Sequence, residues 1–184
     1  FTEKPYQTFN ELINDGDLMF EKQLGQIYSA VTIQNKFDVK IIADIYNKNL
    51  QALHGDKIPY NEWYRAILND DTDERTFLIC RGIMPVAWLK LNGLDSADAG
   101  YISMLAVEPK YRRKGVGRFA IEFAEKFLHG NGKRTIRVQT TSDNFSAMSL
   151  YKKCGFVEVG RTKTICDDGA ELSKIMFEKA THDC

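Results

Sequence analysis

The stretch richest in chemistry is Leu105-Ala106-Val107-Glu108-Pro109-Lys110-Tyr111-Arg112-Arg113-Lys114-Gly115-Val116-Gly117. An apolar run passes into a basic turn, and the turn opens onto a segment of helical periodicity. Arg112, Gly115 and Gly117 stand in an Arg-x-x-Gly-x-Gly spacing. Without a Cβ, glycine lets backbone N–H groups approach a ligand closely. The N-terminus of the following helix adds a dipole favourable to anions, and Arg112, Arg113 and Lys114 add full positive charge. Such a turn suits a phosphate. Glycine among basic residues is also ordinary chain punctuation, so the motif alone leaves both readings open.

The elements that must position this turn follow from hydrophobic periodicity. Residues 101–107 predict a strand, and the helix after Gly117 places Ala120, Ile121, Ala124, Phe127 and Leu128 on one face, to lie against a sheet. Gly130-Asn131-Gly132 ends that helix and residues 135–140 resume a strand, so 101–140 predicts a β-α-β unit with two parallel strands and a right-handed crossover. Residues 144–153 predict a helix stopped by Gly155, and 156–164 and 172–178 predict closing strands around Asp167-Asp168-Gly169. Upstream, Thr8 to Glu11 carries a capping-box pattern for a short helix, and 26–33 predicts a first strand. Residues 37–53 predict one helix with the stripe Ile42, Ile45, Tyr46, Asn49, Leu53, and 59–68 a second bearing Trp63, Tyr64, Ile67 and Leu68. Residues 76–80 and 86–91 predict strands joined by a turn at 81–85, with a polar loop at 92–100. The acidic run 69–74 reads as a solvated loop.

A hydrophobic fraction of 43% with 27% charged residues is ordinary globular composition. Lys+Arg and Asp+Glu balance at 25 each, so the chain carries no electrostatic footprint for nucleic acid, and the basic cluster at 112–114 calls for a small anionic ligand instead. Cys80, Cys154, Cys166 and Cys184 form no Cys-x-x-Cys pair and have no histidine at zinc-ligand spacing, which argues against a metal site or a disulfide framework. No apolar run reaches the length of a membrane span, and the first residues lack the order of a signal peptide. A cytoplasmic protein with reduced thiols and no membrane partner is the expectation.

Downstream of the turn stands Asn144-Phe145-Ser146-Ala147-Met148-Ser149-Leu150-Tyr151-Lys152-Lys153-Cys154-Gly155-Phe156. The two segments, in this order and spacing, resemble the GNAT superfamily of acyl-CoA-dependent N-acyltransferases, closely over 101–156 and more loosely over 28–179. The resemblance implies an α/β domain at 26–180 after an N-terminal, helical extension at 1–25. Its expected architecture is a mixed, twisted sheet of six or seven strands flanked by helices, in which a splayed pair of parallel strands forms the acyl-CoA cleft. The implied activity is transfer of an acetyl group from acetyl-CoA to a primary amine, by direct attack in a ternary complex.

The resemblance also implies roles, residue by residue. Arg112, Arg113, Lys114, Gly115, Val116 and Gly117 match the turn that holds the pyrophosphate of coenzyme A, mainly through backbone N–H groups. Leu105, Ala106 and Val107 match the strand whose backbone bonds the pantetheine arm. Amides near Leu105 or Ala106 would support the oxyanion, since N–H groups already fixed in direction reorganise little. Asn144 matches an asparagine that contacts the coenzyme arm and caps its helix; the cap alone would also account for it. Tyr151 matches a tyrosine acting as general acid toward the departing thiolate, a phenol of pKa about 10 facing a thiol of about 8.5. The alternative for Tyr151 is packing against core or coenzyme.

No general base carries over. Many members of the superfamily keep a glutamate on the strand before the turn, yet 101–107 contains no carboxylate. Glu108 reads as a solvated turn residue; Tyr101, Ser103, Glu62 and Glu158 are the other candidates, with water as a competitor. Cys154 as a covalent acyl carrier is set aside, because no histidine stands near it in sequence to activate it. His54 and His129 read as helix-end residues. Residues 35–75 and 92–100 match the parts of the family that cover the acceptor. Trp63, Tyr64 and Tyr60 would wall that site or pack within their own helix, and the acidic run would draw a cationic amine or simply be solvated. A small-molecule amine and a peptide amino group both remain open as acceptor, as does a homodimer. The missing strand carboxylate also motivates a second reading, a non-catalytic acyl-CoA sensor or interaction module.

Overall fold

The computed structural model describes residues 27–33, 35–67, 72–96, 98–165 and 171–181. In chain order its elements are β1 (Tyr28–Thr32), α1 (Lys36–Asn47), α2 (Leu50–Leu53), α3 (Tyr60–Ile67), β2 (Arg75–Arg81), β3 (Met84–Asn92), β4 (Ala99–Val107), a 3-10 turn (Pro109–Tyr111), α4 (Val116–Gly130), β5 (Thr135–Thr141), α5 (Phe145–Lys153), β6 (Val157–Ile165) and β7 (Glu171–Ala180). The strands form one mixed sheet of seven in the order β1-β2-β3-β4-β5-β7-β6. β1 runs antiparallel to β2, Tyr28 facing Arg81 and Thr32 facing Phe77. β4 and β5 are parallel, from Ala99 opposite Thr135 to Ile102 opposite Val138, and both strands run on past that pairing. β7 lies antiparallel to β5 and to β6, with one irregularity between Glu158 and Gly160.

Two compact units divide the chain. Of the described residues, one holds 27–67, 75–90 and 105–120. Phe77 to Cys80 and Val86 to Leu89 are buried without alternation, the mark of strands covered on both faces. α1 starts with a capping box: Asn35 Oδ1 accepts from the N–H groups of Phe37 (2.8 Å) and Asp38 (3.2 Å), and Asp38 Oδ2 accepts from Asn35 N–H (3.2 Å). Its apolar face of Val39, Ile42, Ala43, Ile45 and Tyr46 is buried. Tyr46, Trp63 and Trp88 interlock edge to face, with centroids 4.9, 5.4 and 6.3 Å apart, and tie α1, α3 and β3 together.

The single helix expected over 37–53 is two. α1 ends at Asn47 and α2 begins at Leu50, because Asn49 turns its side-chain amide back onto Ile45 O (2.7 Å). Such back-bonding competes with continued helix. His54 closes α2 in the left-handed region, a helix-end residue as expected.

The other unit holds, of the described residues, 72–74, 91–104 and those from 121 to 181. Of the stripe that periodicity predicts for α4, Ala120, Ile121, Ala124 and Leu128 are fully buried and Phe127 is half-buried. Gly100 admits this helix closely: a Cβ there would stand 2.9 Å from Leu128 Cδ1. Part of the acidic run, read as simply solvated, is a fixed corner. Asp73 Oδ1 and Oδ2 accept from the N–H groups of Asp95 (2.9 Å) and Gly93 (3.0 Å). Lys133, 4% exposed, donates to Leu94 O and Ser96 O of the same loop at 2.5 Å each.

The expected helix near Thr8, the 1–25 extension, the Asp167-Asp168-Gly169 turn, Cys166 and Cys184 lie outside the described residues. Among the described residues no helix is long and apolar enough to cross a membrane.

Candidate active site

The chain leaves β4 at Val107, and Glu108 N–H donates to Val86 O at 2.9 Å, holding the strand end against β3. Pro109 starts the 3-10 turn, and Arg112, in extended conformation, closes it through N–H to Pro109 O (3.2 Å). Arg113 (φ 60°) and Gly115 (φ 89°) then take left-handed backbone on either side of Lys114. Alternating handedness swings successive N–H groups toward one side, the concavity in which anions sit. α4 starts at Val116, two residues before the expected start, so Val116 and Gly117 lie in its first turn, where amides have no intrahelical acceptor. Arg112, Arg113, Lys114 and Gly115 are exposed, and Val116 is buried as the anchor beneath them.

Two contacts outside the motif hold the turn. Tyr28 donates its hydroxyl to Lys114 O (2.6 Å) and lays its ring against Phe119 at 5.8 Å. At the break after α1, Lys48 Nζ lies 2.9 and 3.1 Å from the Glu108 carboxylate oxygens. Asn49 Nδ2 reaches Val107 O (3.3 Å) as well as Ile45 O, and Asn49 Oδ1 accepts from Arg112 Nη2 (2.7 Å). Glu108 is therefore no solvated turn residue: it is 9% exposed and ion-paired, which removes it as an unencumbered base. Sequence reasoning missed Tyr28, Lys48 and Asn49. The readable signal was Asn49 itself, an amide in the apolar stripe of a helix.

Of the matched strand residues, Ala106 is buried while Leu105 and Val107 are half-buried. Asn144 and Tyr151 share α5. Asn144 is its N-cap, accepting from Ala147 N–H at 3.1 Å. Tyr151 sits in the last turn, 6% exposed, its ring 5.8 Å from both Phe156 and Phe177. Burial, with the Cys154 thiol beside it as a lesser cause, pushes the phenol well above its ordinary value. Its hydroxyl makes no hydrogen bond among the described residues.

The base candidates are largely committed elsewhere. Tyr101 OH accepts from Arg137 Nη1 (3.2 Å), and Glu158 pairs with Arg161 (2.5 Å). Glu62 and Ser103 are exposed on α3 and β4. Trp63 belongs to the core, whereas Tyr60 and Tyr64 stack edge to face at 4.9 Å outside it. A groove of about 530 Å³ runs along α1 past Lys40, Asp44, Asn47 and Tyr60. Cys80 is a buried free thiol pushed up to about 11 by burial and the charge of Asp38, so it is unreactive at neutral pH.

The chain is 30% identical over 137 residues to the streptothricin acetyltransferase of Escherichia coli, covering 71% of this chain and 76% of that protein. It is 32% identical over 81 residues to the ribosomal protein bS18-alanine N-acetyltransferase of Escherichia coli K12, covering 43% of this chain and 55% of that one. Its fold matches the spermidine N-acetyltransferase of Vibrio cholerae, solved in complex with CoA and spermine, with TM-score 0.72 at 18% identity over 84% of this chain and 96% of that one. The model of the acetyltransferase (GNAT) family matches residues 40–156. That span takes in the basic turn, α4, β5 and the whole of α5, and on it the chain belongs to the acetyltransferase (GNAT) family and is an acetyl-CoA-dependent N-acetyltransferase.

Proposed function

We propose that the turn from Arg112 to Gly117 holds the pyrophosphate of acetyl-CoA, that Leu105, Ala106 and Val107 offer backbone to its arm, and that Tyr151 assists departure of the thiolate. The carrying observation is the backbone of the turn. Left-handed Arg113 and Gly115, directly before the first turn of a 15-residue helix, under three exposed cations, form a donor set that fits a diphosphate.

Bound acetyl-CoA would supply the activated acyl carbon as a thioester. The chain's own part is to bind, orient and place protons. Arg112, Arg113 and Lys114 neutralise phosphate charge, and the amides of Val116 and Gly117 donate at the helix N-terminus. An amide near Leu105 or Ala106 stands for the oxyanion, with no cost of reorientation. Asn144 keeps α5 capped, so that Tyr151 has a fixed origin. With Glu108 ion-paired and no carboxylate on β4, the amine's proton leaves to water rather than to a dedicated side chain.

The acceptor is a primary amine. Streptothricin and spermidine in the names of similar proteins support a small cationic amine, and the alanine N-acetyltransferase supports a peptide amino group. Exposed Val157, Val159 and Ile165 on the edge strand β6 support association of two copies, and the buried free thiol of Cys80 supports a cytoplasmic setting.

The test is chromatographic detection of coenzyme A and acetylated product, with acetyl-CoA and a panel of streptothricin-like amines, polyamines, amino acids and short peptides. Turnover confined to one amine class is the expected outcome. Tight acetyl-CoA binding with no turnover of any amine or protein acceptor would favour the sensor reading, for which the carboxylate-free β4 speaks.

A further inference from the structure

We infer that Asn49 is a positioning residue for coenzyme binding: it locks the Arg112 guanidinium and the end of β4 into one hydrogen-bonded frame. The inference rests on reading Arg112 as part of the coenzyme turn.

Asn49 is 6% exposed, so its polar atoms must find partners inside the protein. They do so on three separate elements. Nδ2 donates to Ile45 O in α1 (2.7 Å) and to Val107 O at the end of β4 (3.3 Å), and Oδ1 accepts from Arg112 Nη2 in the turn (2.7 Å). The two carbonyls and the guanidinium leave only one orientation of the amide, donors toward the carbonyls and acceptor toward the cation.

The break between α1 and α2 makes this reach possible. Consecutive residues of a continuous helix point about 100° apart and cannot serve one target. Here Lys48 and Asn49, freed from the helix, both reach the segment Val107 to Arg112, one as an ion pair to Glu108 and the other as an amide clamp.

The consequence concerns Arg112. An exposed arginine samples many rotamers, and ordering it on a phosphate costs side-chain entropy. Asn49 consumes one of the guanidinium's five N–H donors and fixes its plane in advance, leaving the others to face a ligand. Ordering before binding raises affinity without touching the chemical step, so loss of Asn49 falls on the coenzyme's KM rather than on kcat.

Isothermal titration with coenzyme A, steady-state kinetics with acetyl-CoA and thermal melting on Arg112→Ala, Arg112→Lys, Asn49→Ala and the double variant Asn49→Ala/Arg112→Ala test this. Arg112→Ala is expected to weaken coenzyme A about tenfold. Asn49→Ala is expected to weaken it by about three- to tenfold, with KM rising in step, and the double variant should be no weaker than Arg112→Ala. Arg112→Lys keeps the charge at an exposed position where folding is not at stake, but cannot reproduce the fork held by Asn49, so it should bind almost as poorly as Arg112→Ala. Additive losses in the double variant, unchanged affinity in Asn49→Ala beside a lowered melting temperature, or wild-type affinity in Arg112→Lys would each overturn the inference while Arg112→Ala remains weak. Unchanged affinity in Arg112→Ala would instead defeat the reading of the turn, and the role of Asn49 with it.

Discussion

Gly115→Ala puts the turn to a test in which fold and function separate. Gly115 has φ 89°, and a Cβ built on it meets nothing closer than Tyr28 Cε2 at 3.9 Å, ordinary van der Waals distance. The substitution therefore carries no steric clash, only the strain of an L-residue held at positive φ, about 1–2 kcal/mol. In a chain of this size each kcal/mol lowers the melting temperature by about 2–4 °C, giving an expected fall of about 2–8 °C. Gly132 supplies the matched control: its φ is 78° with no atom within 4 Å of a built Cβ, and it lies outside the turn. Gly132→Ala should lose comparable stability by the same mechanism. The two variants must part in coenzyme binding. An alanine that relaxes its own backbone at 115 rotates the amides beside it, so Gly115→Ala should weaken coenzyme A by about tenfold or more, whereas Gly132→Ala keeps wild-type affinity. Calorimetric titration below both melting temperatures reads the difference. Equal affinities in the two variants would refute the claim that left-handed backbone at 115 shapes the anion site; an unaltered melting temperature in both would refute the strain argument.

Two further outcomes follow from the second unit. Gly100→Ala presses a methyl into the Leu128 side chain, which is fully buried and cannot step aside, so chemical denaturation should show a loss of about 1–3 kcal/mol from overpacking. Asp73 is held below the usual carboxylate range by the N–H groups of Asp95 and Gly93. A carboxylate with a depressed folded pKa contributes stability that is present above its unfolded value, about 3.9, and is lost as pH falls through the folded value. Asp73→Asn should therefore be less stable than wild type at pH 6, with the gap closing below about pH 4 in thermal melts; a gap independent of pH would mean the charge plays no part.

Residues with short-range signals were legible in the sequence, and those whose partners come from afar were not. The buried runs Phe77 to Cys80 and Val86 to Leu89 announce strands because every residue in them is apolar, and Arg112 to Gly117 announces a turn by glycine spacing. Asn144 was readable as a cap because its acceptor role is satisfied three residues on. The cap at Asn35 escaped notice because its reciprocal partner, Asp38, is not the usual glutamate or glutamine. Asn49 and Glu108 were misread for a common reason: Asn49 finds Val107 58 residues away, and Glu108 finds Lys48 60 residues away. Local periodicity has no information about such partners, so an amide in an apolar stripe read as part of a helix, and a carboxylate beside proline read as solvated.

Burial also limits what Tyr151 can do, and the limit has a measurable size. Desolvation holds the phenol above 10, so it stays protonated throughout the neutral range and is always available as a donor. The same shift weakens it as an acid. Handing its proton outright to a thiolate whose conjugate acid has pKa about 8.5 is uphill by more than about 2 kcal/mol. The proposed role of Tyr151 in thiolate departure is then donation of a hydrogen bond to charge as it develops at sulfur, with the proton remaining on its own oxygen. A hydrogen bond to a charged group contributes about 1.5–3 kcal/mol, equivalent to roughly ten- to a hundredfold in rate. Tyr151→Phe, which preserves the ring contacts with Phe156 and Phe177, should lower kcat by that factor and leave coenzyme affinity within about twofold. The wild-type rate should show no break from this group below about pH 10. A loss of a thousandfold or more would mean full proton transfer, and an unaltered kcat would make Tyr151 a packing residue only.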